Sequence, residues 1–253
     1  MAETKRGPVL VTGGAKRVGR AFIEALAADG HPCAVHFNTS SDEADALVDA
    51  IRSAGGAACA VGADLGDADA AEGLIDWAAA ELGPITLLVN SASIFEDDRP
   101  DTITADSFNR HMSANLLAPA LLSKAFAAQA PAGSLIVNLL DYKLFNVNAD
   151  YFSYTLSKAG LKAMTEMLAR DLAPKVRVCG IAPGLTLPSP YHSADEFERL
   201  HHDNPLGVGP TTDDLVRALR FFRDSAPVSG QIVCVDGGQH FDPRLTRDVF
   251  GAL

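Results

Sequence analysis

The chain has 253 residues, of which 47% are hydrophobic and 21% charged, far from the low-hydrophobicity, high-charge composition of disordered chains. Its 32 acids outweigh 21 Lys and Arg, giving a formal net charge of −11, which excludes non-specific binding to nucleic acid or an anionic membrane. The balance is uneven: Ala21–Asp98 carries 15 acids and one base, Arg52, whereas Lys16, Arg17 and Arg20 cluster just before it.

Strand-like and helix-like segments alternate along the whole chain. Pro8–Thr12 is a continuous apolar run, and Arg17–Asp29 has helical periodicity. Pro32–Phe37 reads as strand and Asp42–Ala54 as helix; Ala57–Val61 as strand and Asp67–Leu82 as helix. Ile85–Asn90 reads as strand, Asp106–Gln129 as one long helix, Ser134–Leu139 as strand and Phe152–Leu172 as helix. Val176–Ile181, helix Thr212–Arg223 and strand Gln231–Val235 close the series. The strands are apolar throughout rather than alternating, which marks strands covered on both faces, as in a parallel sheet. The fold class is therefore α/β: a single Rossmann-type doubly wound sheet of seven parallel strands with helices on both faces, in one domain over residues 1–253.

Leu185–Pro210 is poorly periodic, with a short helical patch at Ala194–His202. Such a segment is either a lid over a site or an ordinary surface excursion. The longest charge-free run, Ala125–Leu140, is broken by Gln129, Pro131, Gly133, Ser134 and Asn138, so no membrane span is expected. Nor does the N-terminus read as a secretory leader. Cys33, Cys59, Cys179 and Cys234 lack metal or redox spacing and read as buried free thiols. A cytoplasmic protein is expected. His201-His202-Asp203 lacks the spacing of a helical zinc pair, and no metal is expected.

The first strand runs into Thr12-Gly13-Gly14-Ala15-Lys16-Arg17-Val18-Gly19. Glycines there bring bare N–H groups against a diphosphate, and the helix that follows adds its dipole. A tight strand–helix turn without a ligand is the plainer alternative. The spacing resembles the T-G-x-x-x-G-x-G turn of short-chain dehydrogenases/reductases, with Arg17 in place of the middle glycine. The second strand ends in His36-Phe37-Asn38-Thr39-Ser40, with no carboxylate before Asp42. An NAD enzyme usually places an acid there for the ribose 2′-OH. His36, Asn38, Thr39 and Ser40, with Arg17 and Lys16 nearby, suit a 2′-phosphate instead, so NADPH is the expected cofactor. Asp64 and Leu65 match the family position that meets the adenine, though an acid at a helix N-terminus is a credible structural reading of Asp64.

Tyr154 and Lys158 lie four apart on an expected helix and share a face. An ammonium beside a phenol lowers the phenol's pKa towards a useful range. Asp141 follows the fifth strand, and Asn115 lies in the long helix. Pro119 has no N–H, so the Asn115 carbonyl loses its helical partner and is free to hold a relay water or to mark a simple kink. Asn115, Asp141, Tyr154 and Lys158 resemble the family's catalytic set, with Asp141 where the family has serine. Pro183 and Gly184 match its P-G, and Asn90, Ser91 and Ala92 stand in its strand-four N-N-A-G motif, where Ser91 departs from the second asparagine and Ser93 replaces the glycine. The resemblance implies that Lys158 also grips the nicotinamide ribose and that Gly13, Val18 and Gly19 line the diphosphate.

Arg17, Ser93 and Asp141 together resemble the pteridine reductases and related bacterial dihydropterin reductases within that family. That likeness implies a pterin pocket lined by Arg17, Ser93, Phe95, Asp141, Tyr154 and Leu185, with the Phe95 ring stacked on the pterin. It implies NADPH-dependent reduction of a dihydropterin to a tetrahydropterin, in a homotetramer built mainly through Asp106–Gln129 and Phe152–Leu172. Two other readings stand beside it: a general carbonyl or 3-oxoacyl reductase of the same family, and a non-catalytic NADP(H)-sensing protein.

Overall fold

A computed structural model describes residues 6–188 and 193–242. Seven strands, β1 (Val9–Val11), β2 (Cys33–Phe37), β3 (Ala58–Gly62), β4 (Leu87–Asn90), β5 (Ser134–Leu139), β6 (Val176–Pro183) and β7 (Ile232–Val235), form one sheet in the order β3-β2-β1-β4-β5-β6-β7. Every adjacent pair is parallel. The helices between them are α1 (Arg17–Ala28), α2 (Ser41–Ser53), α3 (Ala68–Leu82), α4 (Ala105–Met112), α5 (Ala118–Gln129), α6 (Phe152–Asp171), α7 (Ala194–His202) and α8 (Thr212–Asp224). Among the described residues, no helix is long and apolar enough to cross a membrane.

The uninterrupted apolar strands resolve into two cores, one on each face. Val9, Val11, Val35, Val89 and Ile181 pack with Phe22 and Ile23 of α1 and Leu219 and Phe222 of α8. Their neighbours Leu10, Ala34, Leu88, Ile136 and Val178 point the opposite way, against Ile75 of α3 and Leu122 and Phe126 of α5. Period-two side-chain alternation thus divides one hydrophobic run between two helical layers. Strand order reverses between β1 and β4, which opens a crevice at the carboxyl ends of these strands, where parallel sheets bind ligands.

One expected element is corrected. The long helix Asp106–Gln129 is broken into α4 and α5 by a π turn at Ser113–Leu117. Pro119 has no N–H to offer the Asn115 carbonyl, so the ladder slips by a residue and the Ala118 N–H bonds Ser113 O, five positions back. β6 also runs two residues further than expected, carrying Pro183 to the strand's end.

Candidate active site

The crevice begins at the glycine turn. Gly13 has φ +64°, and a Cβ on Gly19 would lie 2.1 Å from the Gly13 carbonyl oxygen, so neither position accepts a side chain without displacement. α1 opens with no acid in its first turn, and Lys16 makes no side-chain cap there. The first N–H groups of α1 therefore face outward with the positive end of the helix dipole, a cradle that fits a diphosphate. Arg17 adopts a left-handed conformation, φ +53°, and its guanidinium donates to the Pro188 carbonyl at 2.9 Å. Lys16 pairs with Glu43 of α2 at 2.8 Å.

Thr12 ties this turn to the next strand: its hydroxyl oxygen accepts from the N–H groups of Ser91 (2.9 Å) and Ala92 (3.0 Å). His36 stands beneath the turn rather than on its open face. Its Nδ1 accepts from Gly13 N–H and its Nε2 donates to Ala63 O, both at 3.0 Å. Burial holds the imidazole below its ordinary pKa, against the bond to Ala63, so the ring is neutral. The expected ligand contact of His36 is thus corrected to support of the turn, because both ring nitrogens are already engaged. Asn38 and Thr39 are exposed at the end of β2, with Ser40 half-buried beside them. Asp64 is exposed after β3 and accepts from Gly66 N–H at 2.8 Å, while Leu65 is buried.

The reactive groups gather at the end of β5. Tyr154 and Lys158, four apart on α6, face Asp141, and the Tyr154 hydroxyl donates to Asp141 Oδ2 at 2.8 Å. The other oxygen, Oδ1, accepts from Lys143 N–H at 2.9 Å. Lys158 is buried and donates to Leu139 O at 2.8 Å. Burial drags its pKa down to about 8, against the opposing pull of Asp141. Arg17, Val18, Ser93, Phe95, Asp141, Tyr154, Lys158, Pro183, Gly184 and Leu185 all line one cleft. Leu139, Leu140, Tyr142, Thr186 and Leu187 line it too, and the sequence reading missed them. Their only signal was adjacency to Asp141 and to Pro183-Gly184.

Phe95 sets its edge against Tyr154, with ring centroids 4.7 Å apart, and stacks on Tyr151 at 4.2 Å. Asn115 lies behind this wall rather than on it. Its Oδ1 accepts from Ile94 N–H (2.8 Å) and the Ser93 hydroxyl (3.3 Å); its Nδ2 donates to Ile94 O (2.9 Å) and Ser157 Oγ (3.1 Å). Asn90 is also buried and donates to Asn138 across β4–β5, away from the cleft. Leu185–Leu187 border the cleft, and His201 of α7 bonds Leu185 O at 2.8 Å. Residues 189–192 of the aperiodic segment Leu185–Pro210, and residues 243–253, lie outside the described residues.

A family model for short chain dehydrogenases matches residues 8–199. The chain belongs to the short-chain dehydrogenase family, and it is an oxidoreductase of that family. Among solved structures it is similar to the FolM alternative dihydrofolate reductase 1 of Brucella canis complexed with NADP, 40% identical with a TM-score of 0.91 over 94% of this chain and 95% of that one. A short chain dehydrogenase of Burkholderia cenocepacia in complex with NADP is 30% identical, with a TM-score of 0.87 over 94% and 99% of the two chains. The dihydromonapterin reductase of Escherichia coli is 27% identical over 244 residues, covering 95% of this chain and 99% of that protein. Within this dehydrogenase the serine position of the family set is occupied by Asp141, already engaged with the Tyr154 hydroxyl.

Proposed function

We propose that this dehydrogenase is an NADPH-dependent reductase of a dihydropterin, carrying it to the tetrahydro level. The observation that carries the reading is Asp141, a carboxylate hydrogen-bonded to Tyr154 on the floor of a cleft whose wall is Phe95. A carboxylate gains little from a ketone, which only accepts hydrogen bonds. It gains more from a ring rich in N–H groups, which donates to it. The Phe95 ring adds offset stacking on a flat heterocycle, worth about 0.5–1.5 kcal/mol beyond burial. The names of the Brucella and Escherichia coli relatives support the same substrate class.

NADPH held by the glycine turn would supply hydride chemistry for the carbon of a ring C=N bond. Tyr154 gives a proton to the nitrogen and Lys158 stabilises the phenolate left behind. Asp141 orients the ring through its N–H groups. The Asn115 carbonyl, denied a donor by Pro119, holds the relay water that returns the proton. The cradle of Gly13, Val18 and Gly19 takes the diphosphate. Arg17, Lys16, Asn38, Thr39 and Ser40 take the 2′-phosphate side, with Asp64 and Leu65 at the adenine. Ser91, Ala92, Pro183 and Gly184 border the nicotinamide. Arg17, Ser93 and Leu185 complete the pterin wall.

Free thiols at Cys33, Cys59, Cys179 and Cys234 support a reducing, cytoplasmic setting. Leu117, Leu156 and Met167, large apolar side chains exposed on the π turn and α6, support assembly of a homotetramer through these helices. The test is NADPH oxidation assayed with a dihydropterin, with simple or 3-oxoacyl ketones, and with neither. Turnover of the dihydropterin is the expected result. Turnover of ketones alone overturns the reading, and binding without turnover of either leaves the sensor.

A further inference from the structure

His111 is fully buried in the last turn of α4, four residues before Asn115, and it bonds its own helix and two other segments. Its Nε2 accepts from Glu96 N–H at 3.3 Å. That nitrogen is therefore unprotonated, and the proton sits on Nδ1, which lies 3.0 Å from Ser107 O and 2.7 Å from Ser153 Oγ. The Ser153 hydroxyl in turn donates a hydrogen bond to Asp98 Oδ2. Asp98, also buried, accepts from Ser153 N–H at 2.8 Å and from the Ser107 hydroxyl at 2.9 Å, and its backbone carbonyl accepts from Phe152 N–H at 2.9 Å. Burial pushes the Asp98 carboxyl upward, but the bonds from Ser153 and Ser107 outweigh it and hold the group below the usual carboxylate range.

Two facts give this chain of bonds a place in the site. Tyr151, at the head of α6, is left-handed (φ +50°) and provides no side-chain cap, so Asp98 caps the helix from another loop. Ser153 immediately precedes Tyr154, and Glu96 immediately follows Phe95. His111 therefore joins the residue beside the stacking ring to the residue beside the phenol. We infer that His111, with Ser153 and Asp98, is a positioning set that fixes the Phe95 ring against Tyr154, and so sets where that wall of the cleft stands for a planar ring. The choice of a planar bicyclic substrate rests on the proposed function; the mechanical link does not.

The test uses the full-length protein as His111→Ala, His111→Gln and Ser153→Ala. Amide hydrogen exchange reads the link without any substrate. In His111→Ala, exchange over residues 94–96 rises at least about tenfold while the strands β1 and β4 keep their protection. Unchanged exchange there overturns the inference. With dihydrobiopterin, His111→Ala and Ser153→Ala raise KM about fivefold or more with kcat within about threefold and unaltered NADPH affinity. His111→Gln, whose amide accepts from Glu96 and donates to Ser153, recovers most of the lost affinity. A fall in kcat and NADPH binding together, without a KM change, marks a merely structural role and also overturns it. A wild-type enzyme inactive on dihydrobiopterin sinks the proposed substrate alone, and the link is then decided by exchange.

Discussion

The Tyr154 hydroxyl donates a 2.8 Å hydrogen bond to Asp141 Oδ2, so the proposed proton donor and the residue in the family's serine position act as one unit. Replacing Asp141 with Ser leaves a hydroxyl that bonds Tyr154 but removes the charge that pairs with ring N–H groups. Asp141→Ser is expected to lower kcat/KM for a dihydropterin about 100-fold or more, with NADPH affinity within about twofold. Steady-state NADPH oxidation checks it, and undiminished turnover removes Asp141 from the mechanism.

Lys158 links function to a stability cost. Burial lowers its pKa from 10.5 to about 8, against the pull of Asp141. Between those values the unfolded chain holds a proton that the folded chain has released, so this group's contribution to stability rises with pH across that window. Lys158→Met removes the buried charge. The variant is expected to be inactive yet more stable than wild type at pH 7, with the advantage shrinking by about 1 kcal/mol at pH 9. Urea denaturation at the two pH values measures it; an advantage that grows with pH contradicts the assignment.

Arg17 carries a left-handed backbone that glycine adopts without strain. Arg17→Gly trades that strain, about 1–2 kcal/mol, against the greater freedom of glycine in the unfolded chain, about 0.4–1 kcal/mol. A small rise in melting temperature is expected. Arg17→Ala keeps the strain and gains nothing. Both variants are expected to bind NADPH about tenfold more weakly with NADH affinity little changed. Calorimetric titration with the two cofactors decides it, and equal losses for both separate Arg17 from the 2′-phosphate.

His36 predicts an acid limb. Its imidazole is held below 6.5 by burial, so the unfolded chain binds a proton first as pH falls, and stability drops from about pH 6.5 downward. Buried His31 is shifted the same way, again chiefly by burial, and adds to the limb. His36→Ala is expected to cost about 1–3 kcal/mol at neutral pH, because Gly13 N–H and Ala63 O lose their partners. Its acid limb is expected to be shallower than wild type's. Thermal melts from pH 7 to 5 test both, and an equally steep limb in the variant excludes His36 as its source.

The sheet was legible because its central strands, β1 and β4 above all, are buried on both faces, which leaves an uninterrupted apolar run in the sequence. Tyr154, Lys158 and Asp141 were legible together because a helical spacing of four and a strand end place them locally. What escaped was long-range or steric. His36 reads as a ligand contact at a strand end, yet its partners Gly13 and Ala63 lie 23 and 27 residues away. Apolar periodicity runs through Ser113–Leu117 unbroken, so only the missing N–H of Pro119 announces the π turn there. The stack of Phe95 on Tyr151 depends on a left-handed residue that no local pattern marks.

The Thr12 hydroxyl has a consequence for how this protein can change. It is the hinge pin between two pieces of the molecule with separate tasks, since the turn that follows it is the proposed phosphate cradle and the loop it holds at Ser91 and Ala92 leads to Ser93 and Phe95. Alteration at position 12 loosens both pieces together. Alteration at 93 or 95 touches one alone. New substrate preferences are therefore easier to reach through the loop, with the pin left in place and cofactor affinity carried along intact.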